Sequence, residues 1–124
     1  MKRRSRLSRS RDFDAVYRHG RSVSSRYLVL YMFVRPPGDE TDDPPRLGLA
    51  VSRKTGGAVE RNHVKRRLRE AFDRLAEELE PAHDYVLIAR PGLAEATEAQ
   101  GFDWLLDRVR EVFAQAKAIE GASR

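Results

Sequence analysis

The sequence predicts an α+β domain built from one sheet with helices packed on one face. Three observations predict it. Apolar residues alternate with period two at 27–35, 46–54 and 84–90; apolar seams recur at helical spacing in 7–20, 59–79 and 99–118; and Gly- or Pro-bearing breaks separate these segments. The expected order is α-β-β-α-β-α, with a short extra strand near Arg21–Ser24. At 124 residues and 40% hydrophobic content the chain can fill one modest core, so a single domain over 1–124 is expected.

The first helix, Leu7 to Gly20, has Ser8 or Ser10 available as N-cap, Asp12 in its first turn and Gly20 as its stop. Phe13, Val16 and Tyr17 form its apolar stripe. YLVLYMFVR (27–35) is the strongest strand, with Leu28, Leu30, Met32 and Val34 on one side and Tyr27, Val29, Tyr31 and Phe33 on the other. A strand buried on both sides is the plainer reading and is placed first; a core face backed by an aromatic platform is the alternative. PPGDETDDPP (36–45) is an acidic, proline-rich hairpin loop of variable type, to which no function is assigned. RLGLAVSRK (46–54) is the next strand. Its Gly48, Ala50 and Ser52 side is small enough for another element to approach closely.

TGG (55–57) breaks that strand before a helix expected from Val59 to Leu79. Val64, Leu68, Phe72, Leu75 and Leu79 form its seam. On the same wheel Arg61, Lys65, Arg69, Asn62 and Arg66 sweep one arc beginning at the seam's edge, while Arg67 and Arg74 fall elsewhere. The cations gather at the N-terminal end, which backbone N–H groups and the macrodipole also make favourable to anions. Pro81 ends this helix, DYVLIAR (84–90) is a third strand and Pro91–Gly92 a turn. A last helix over 99–118 carries Phe102, Leu105, Leu106, Val109, Val112 and Phe113.

The net charge of +5 conceals a strong asymmetry. Residues 1–26 hold nine basic and two acidic side chains, and residues 46–74 nine and three. Residues 27–45 hold one and four, and residues 75–124 five and ten. Two basic blocks in an otherwise acidic chain point to a directed patch, whose usual counterpart is a phosphate backbone and less often an anionic membrane.

Other chemistries find little support. There is no cysteine, which removes disulfides and thiolate metal sites. His19, His63 and His83 lack metal-ligand spacing. GxSxG and GxxxxGK[ST] are absent, and the carboxylates cluster as solvated surface groups. No apolar run approaches the roughly 18–20 residues of a membrane span, and the basic N-terminus has no apolar signal region, so a cytoplasmic location is expected. Residues 1–6 are expected to stay disordered until RNA binds. The charge blocks, the one-sided arc and the aromatics Phe13, Tyr17 and Tyr31 together suit single-stranded RNA, held by base stacking beside a cationic track.

RNHVKRRLRE (61–70) resembles the RNxxKRxxRE motif of the protein component of bacterial ribonuclease P. Arg61, Asn62, Lys65, Arg66, Arg69 and Glu70 stand at the matching positions. RLSRSRDFDAVYRHGRSV, RYLVLYMF, RLGLAVSRKTGGAVERN and DYVLIAR extend the resemblance over nearly the whole chain. It implies a fold like ribosomal protein S5 domain 2, with a left-handed β-α-β crossover. It implies work on precursor tRNA, hydrolysed to release its 5′ leader, with the active site and its magnesium ions carried by an RNA subunit.

Carried over by position, Arg61, Asn62, His63, Lys65, Arg66, Arg67 and Arg69 would meet that RNA. A cleft between the first helix, the sheet and the basic helix would take the leader, with Phe13, Tyr17 and Tyr31 stacking and Arg53 and Lys54 on phosphate. His63 departs from the motif's usual second arginine, which puts that one phosphate contact in doubt. The competing readings are a structural ribosomal protein bound to rRNA and a DNA-binding module reading with 59–79. Strands and TGG before the helix oppose a helix-turn-helix.

Overall fold

A computed structural model of the chain describes residues 5–36 and 44–118. Its elements are α1 (Ser10–His19), β1 (Arg21–Ser24), β2 (Leu28–Val34), β3 (Arg46–Val51), α2 (Ala58–Leu75), β4 (His83–Ala89), α3 (Leu93–Gln100) and α4 (Phe102–Gln115). The strands form one sheet in the order β1-β2-β4-β3. β1–β2 and β2–β4 are antiparallel, while β3 and β4 run parallel. The β3–α2–β4 connection is therefore a β-α-β crossover between adjacent strands.

The first difference from expectation is that the sheet is covered on both faces. Leu28, Leu30 and Met32 of β2, with Tyr85 and Leu87 of β4 and Leu47 of β3, pack against Leu68, Phe72 and Leu75 of α2 and Leu105, Val109 and Phe113 of α4. On the opposite face Leu7, Val16 of α1 and Val86 form a smaller core, bordered by Phe13, Tyr31, Phe33 and Ile88. Each fully buried Leu or Phe contributes about 1.5–3 kcal/mol over leaving it exposed, so the α2/α4 face dominates. β2 is accordingly buried on one side and half-buried on the other, as the aromatic-platform alternative describes. Val34, expected in the aliphatic row, is 58% exposed at the strand's end.

α1 begins at Ser10 after Arg9, with no side-chain cap from either serine. Gly20 ends it with extended backbone, so its value is space: a Cβ there would sit 2.5 Å from the Val16 carbonyl oxygen and 2.7 Å from that of Met32. Arg6 forms a parallel bridge with Leu47, and the Leu7 N–H donates to the Leu47 carbonyl, so residues 6–7 cover the β3 edge. The rest of the segment expected to be disordered, 1–4, lies outside the described residues, as does most of the 36–45 loop. β3 stops at Val51, and a 3-10 turn over Arg53–Thr55 follows instead of more strand.

α2 ends as an α-helix at Leu75 and passes through a 3-10 turn to Leu79, yet the whole expected seam is buried. The expected final helix is α4, shorter at both ends, and a helix that was not expected, α3, precedes it. Gly101, at φ 94°, breaks the chain before α4, and α3 escaped the period count because a threonine holds a core position. The Thr97 hydroxyl satisfies itself by donating to the Leu93 carbonyl at 2.8 Å.

Candidate nucleic-acid interface

The basic helix is launched by a sequence of local devices. The Ser52 hydroxyl accepts the Lys54 N–H at 3.0 Å, starting the 3-10 turn that sets Arg53 and Lys54 outward and exposed. Gly56 then takes φ 149°, which an L side chain rarely adopts, and Gly57 precedes the first turn without a side-chain cap. Glu60 folds back over both glycines, so the helix supplies an anion of its own to its N-terminus.

Beyond that turn the cations divide into two flanks around the buried seam. Arg61, Lys65 and Arg69 are half-buried at its edge, with Asn62 and Arg66 exposed beyond them, as the wheel predicts. Burial, and then the Arg6 guanidinium, lower the pKa of Arg69. Arg6 and Arg69 are thus gathered as like charges at the β3 edge. His63 and Arg67 lie on the other flank, lining a groove of about 400 Å³ with Glu60, Glu95 and Glu98 over Val64 and Leu105. The ten-residue motif therefore contributes two surfaces.

Ion pairing separates these cations from a second group of arginines. Arg35, Arg46, Arg74, Arg108 and Arg110 are all in salt bridges. Among the described residues Arg6, Arg53, Lys54, Arg61, Lys65, Arg66, Arg67 and Arg69 have none. Unneutralised cations collected on one region repel one another, and an arriving phosphate backbone relieves that repulsion.

The expected aromatic residues do come together, on the α1 face. The Tyr17 and Tyr31 rings meet edge to face at 5.0 Å, and Phe13 is 6.3 Å from Tyr17. Tyr17 is 40% exposed, Tyr31 half-buried. Partial burial, then Tyr31, raise the Tyr17 phenol above its ordinary pKa, so it remains a neutral donor. Phe13 is the anchor of the three: its ring lies over Gly48, where a Cβ would come within 2.5 Å of Cζ. The small face of β3 thus admits α1, as expected.

Sequence reasoning missed two neighbours, His19 and Phe33, whose rings lie 6.4 Å apart on the same face. The period-two register of β2 was the available signal for Phe33. It also missed Asp84, which accepts from Arg35 at 2.5 Å and from Arg46 at 2.8 and 2.7 Å. Arg46 reaches Asp12 of α1 at 3.7 Å, tying the helix to the sheet beneath it.

The expected cleft has a different form from the one anticipated. α1 and α2 pack on opposite faces, so the aromatic cluster and the basic arc are joined around the β3 edge, where Arg6 stands beside Arg69. Among the described residues no group of three or more His, Asp and Glu is placed to hold a metal ion. Nor, among the described residues, is any helix long and apolar enough to cross a membrane.

Known proteins with this sequence pattern and fold are consistent in kind. The family model described as Ribonuclease P matches residues 1–117. A ribonuclease P protein component from Geobacillus sp. (strain WCH70) is 36% identical over 121 residues, covering 97% of this chain and all of the relative. The RNase P protein of Staphylococcus aureus superposes with a TM-score of 0.78 at 30% identity, covering 94% of this chain and 98% of that one. That of Thermotoga maritima gives 0.76 at 31%, covering 89% and 96%. A helix whose Arg61, Lys65, Arg66, Arg67 and Arg69 lack salt bridges, an aromatic cluster on the opposite face of the sheet, this topology and this length of matched sequence place the chain in the ribonuclease P protein family.

Proposed function

We propose that the chain binds the RNA subunit of ribonuclease P through the α2 arc and the 5′ leader of precursor tRNA through the α1 face. The observation that carries this reading is the group Arg61, Lys65, Arg66, Arg67 and Arg69 on α2, without salt bridges while Arg74 of the same helix and Arg35, Arg46 and Arg110 elsewhere are paired. Arg61, Asn62, Lys65, Arg66 and Arg69 would meet the RNA subunit. His63 and Arg67 face the second flank and would touch RNA only where it wraps the helix. Tyr17 and Tyr31 would stack leader bases, Phe13 would support them, and Arg53 and Lys54 would contact phosphates from the end of β3.

On this reading hydrolysis of the precursor belongs to the RNA subunit, and magnesium is held by RNA and substrate. The protein's share is electrostatic and positional: added cations lower the repulsion between two polyanions and raise the affinity for substrate and metal. The working location is the cytoplasm, where the precursor is made. The family assignment sets aside the ribosomal reading, whose small basic profile is similar. The deciding experiment adds the chain to a bacterial ribonuclease P RNA and follows precursor tRNA cleavage at low magnesium. Cleavage well above that of RNA alone is expected; an unchanged rate would refute the proposal.

A further inference from the structure

A pocket apart from these surfaces opens between the β1–β2 hairpin and the α3–α4 pair. Its volume is about 360 Å³, and Arg26, Tyr27, Gln100, Trp104, Arg108 and Glu111 are among its walls. Tyr27 and Trp104 meet edge to face at 5.0 Å. Each ring carries a guanidinium: Arg26 lies 5.1 Å from the Tyr27 centroid and Arg108 5.5 Å from that of Trp104. Arg90 braces the hairpin, donating from Nη1 to the Ser25 carbonyl at 2.9 Å and from its backbone N–H to the Tyr27 carbonyl at 2.9 Å.

Both rings border the main core, and core packing alone would explain the pair. It does not explain the open volume or the state of Arg108. The Arg108 Nε is buried without a hydrogen-bond partner, although Nη2 is held by Glu111 at 3.0 Å. Buried donors in native proteins are nearly always satisfied, so an unsatisfied one beside a pocket calls for an acceptor. Two aromatic rings flanked by arginines are the chemistry that takes a base by stacking and a phosphate by charge.

Position supports the same occupant. The hairpin pairs with β4 at Leu28–Ala89, the end at which β3 also finishes, at Val51–Ala89. Lys54 and Arg90 line one depression there together with Glu95, and Arg90 reaches from it to Ser25 in the wall of this pocket. The leader-facing aromatics stand on the opposite face of the sheet.

We propose that this pocket holds an unpaired nucleotide of the RNA subunit, its base against Tyr27 and Trp104 and its phosphate on Arg26 and Arg108. The proposal rests on the RNA-binding reading above. Moving Arg108 off the indole ring frees the stacking surface and exposes the Nε–H to the incoming phosphate.

Trp104 is the single tryptophan of the chain, so its emission reports on this pocket directly. Titrating the 124-residue protein with a bacterial ribonuclease P RNA should quench that emission saturably. Arg26→Ala and Arg108→Met, both at least partly solvent-exposed side chains, should each move the midpoint by about fivefold or more. Glu77→Gln, an exposed residue with no part in either RNA surface, should leave it in place. RNA that binds, by filter retention, without altering Trp104 emission overturns the pocket and leaves the proposed function intact. RNA that does not bind at all overturns both. Midpoints unchanged in the two arginine variants refute the assignment, and equal quenching by adenosine monophosphate refutes an RNA segment as the source.

Discussion

Asp84 accepts hydrogen bonds from Arg35 and Arg46 at the start of β4, with only 2% of its surface exposed. Arg35 is itself 8% exposed, so losing the carboxylate strands a buried guanidinium. Asp84→Ala is expected to destabilise the fold by roughly 3–5 kcal/mol, read from the urea midpoint at constant slope. A loss below 1 kcal/mol would show that the other contacts of the two arginines suffice. Tyr31 tests the opposite role. It is half-buried beside an exposed Tyr17, so truncation should spare most of the stability and remove a stacking surface. Tyr31→Ala should weaken binding of leader-bearing precursor by about 1–3 kcal/mol and leave mature tRNA unaffected. An equal loss for both RNAs would mean the ring serves packing alone.

α2 shows how far an element can be read from its own sequence. Its seam, its basic arc and the separation of Arg67 from that arc all follow from 100° per residue, because they are local geometry. α1's aromatic stripe and the small face of β3 were legible for the same reason, and Phe13 over Gly48 joins the two. What surrounds each flank was not legible. Arg6 comes beside Arg69 only through the bridge to Leu47, and Glu95 and Glu98 face Arg67 only because α3 exists. α3 itself was hidden by Thr97, whose hydroxyl bonds within the helix, and the Asp84 network joins residues far apart in the chain. The two flanks make α2 its own control. Arg66→Ala should lower the salt dependence of RNA-subunit binding by a slope of about 0.7–0.9, the share of one phosphate contact. Arg67→Ala, set among carboxylates, should change it little. A slope unchanged in Arg66→Ala would remove Arg66 from the contact surface.

At the scale of the whole molecule, one sheet separates two tasks. The α2/α4 face holds most of the buried apolar residues, and the α1 face spends its small core on presenting aromatics. Period-two alternation in β2 marks its two faces as different, yet which helix covers which face depends on the path of the chain, and α1 was placed wrongly for that reason. Stability should therefore depend on the centre of the larger face, where Tyr85 is 1% exposed beside Phe72 and Phe113. Burial, then the Glu80 carboxylate, push the Tyr85 phenol well above its ordinary value of 10.0. The folded state thus keeps this proton at pH values where the unfolded chain has released it. The stabilisation is complete below about pH 10 and falls as pH rises beyond it, by up to about 1.4 kcal/mol per pH unit for this one group. Urea midpoints measured from about pH 9 to about pH 11 should decline in the parent protein and decline less steeply in Tyr85→Phe. Other groups titrate in both proteins, so the difference in slope isolates Tyr85. Parallel curves would mean that its hydroxyl reaches water and that the larger core is open at its centre.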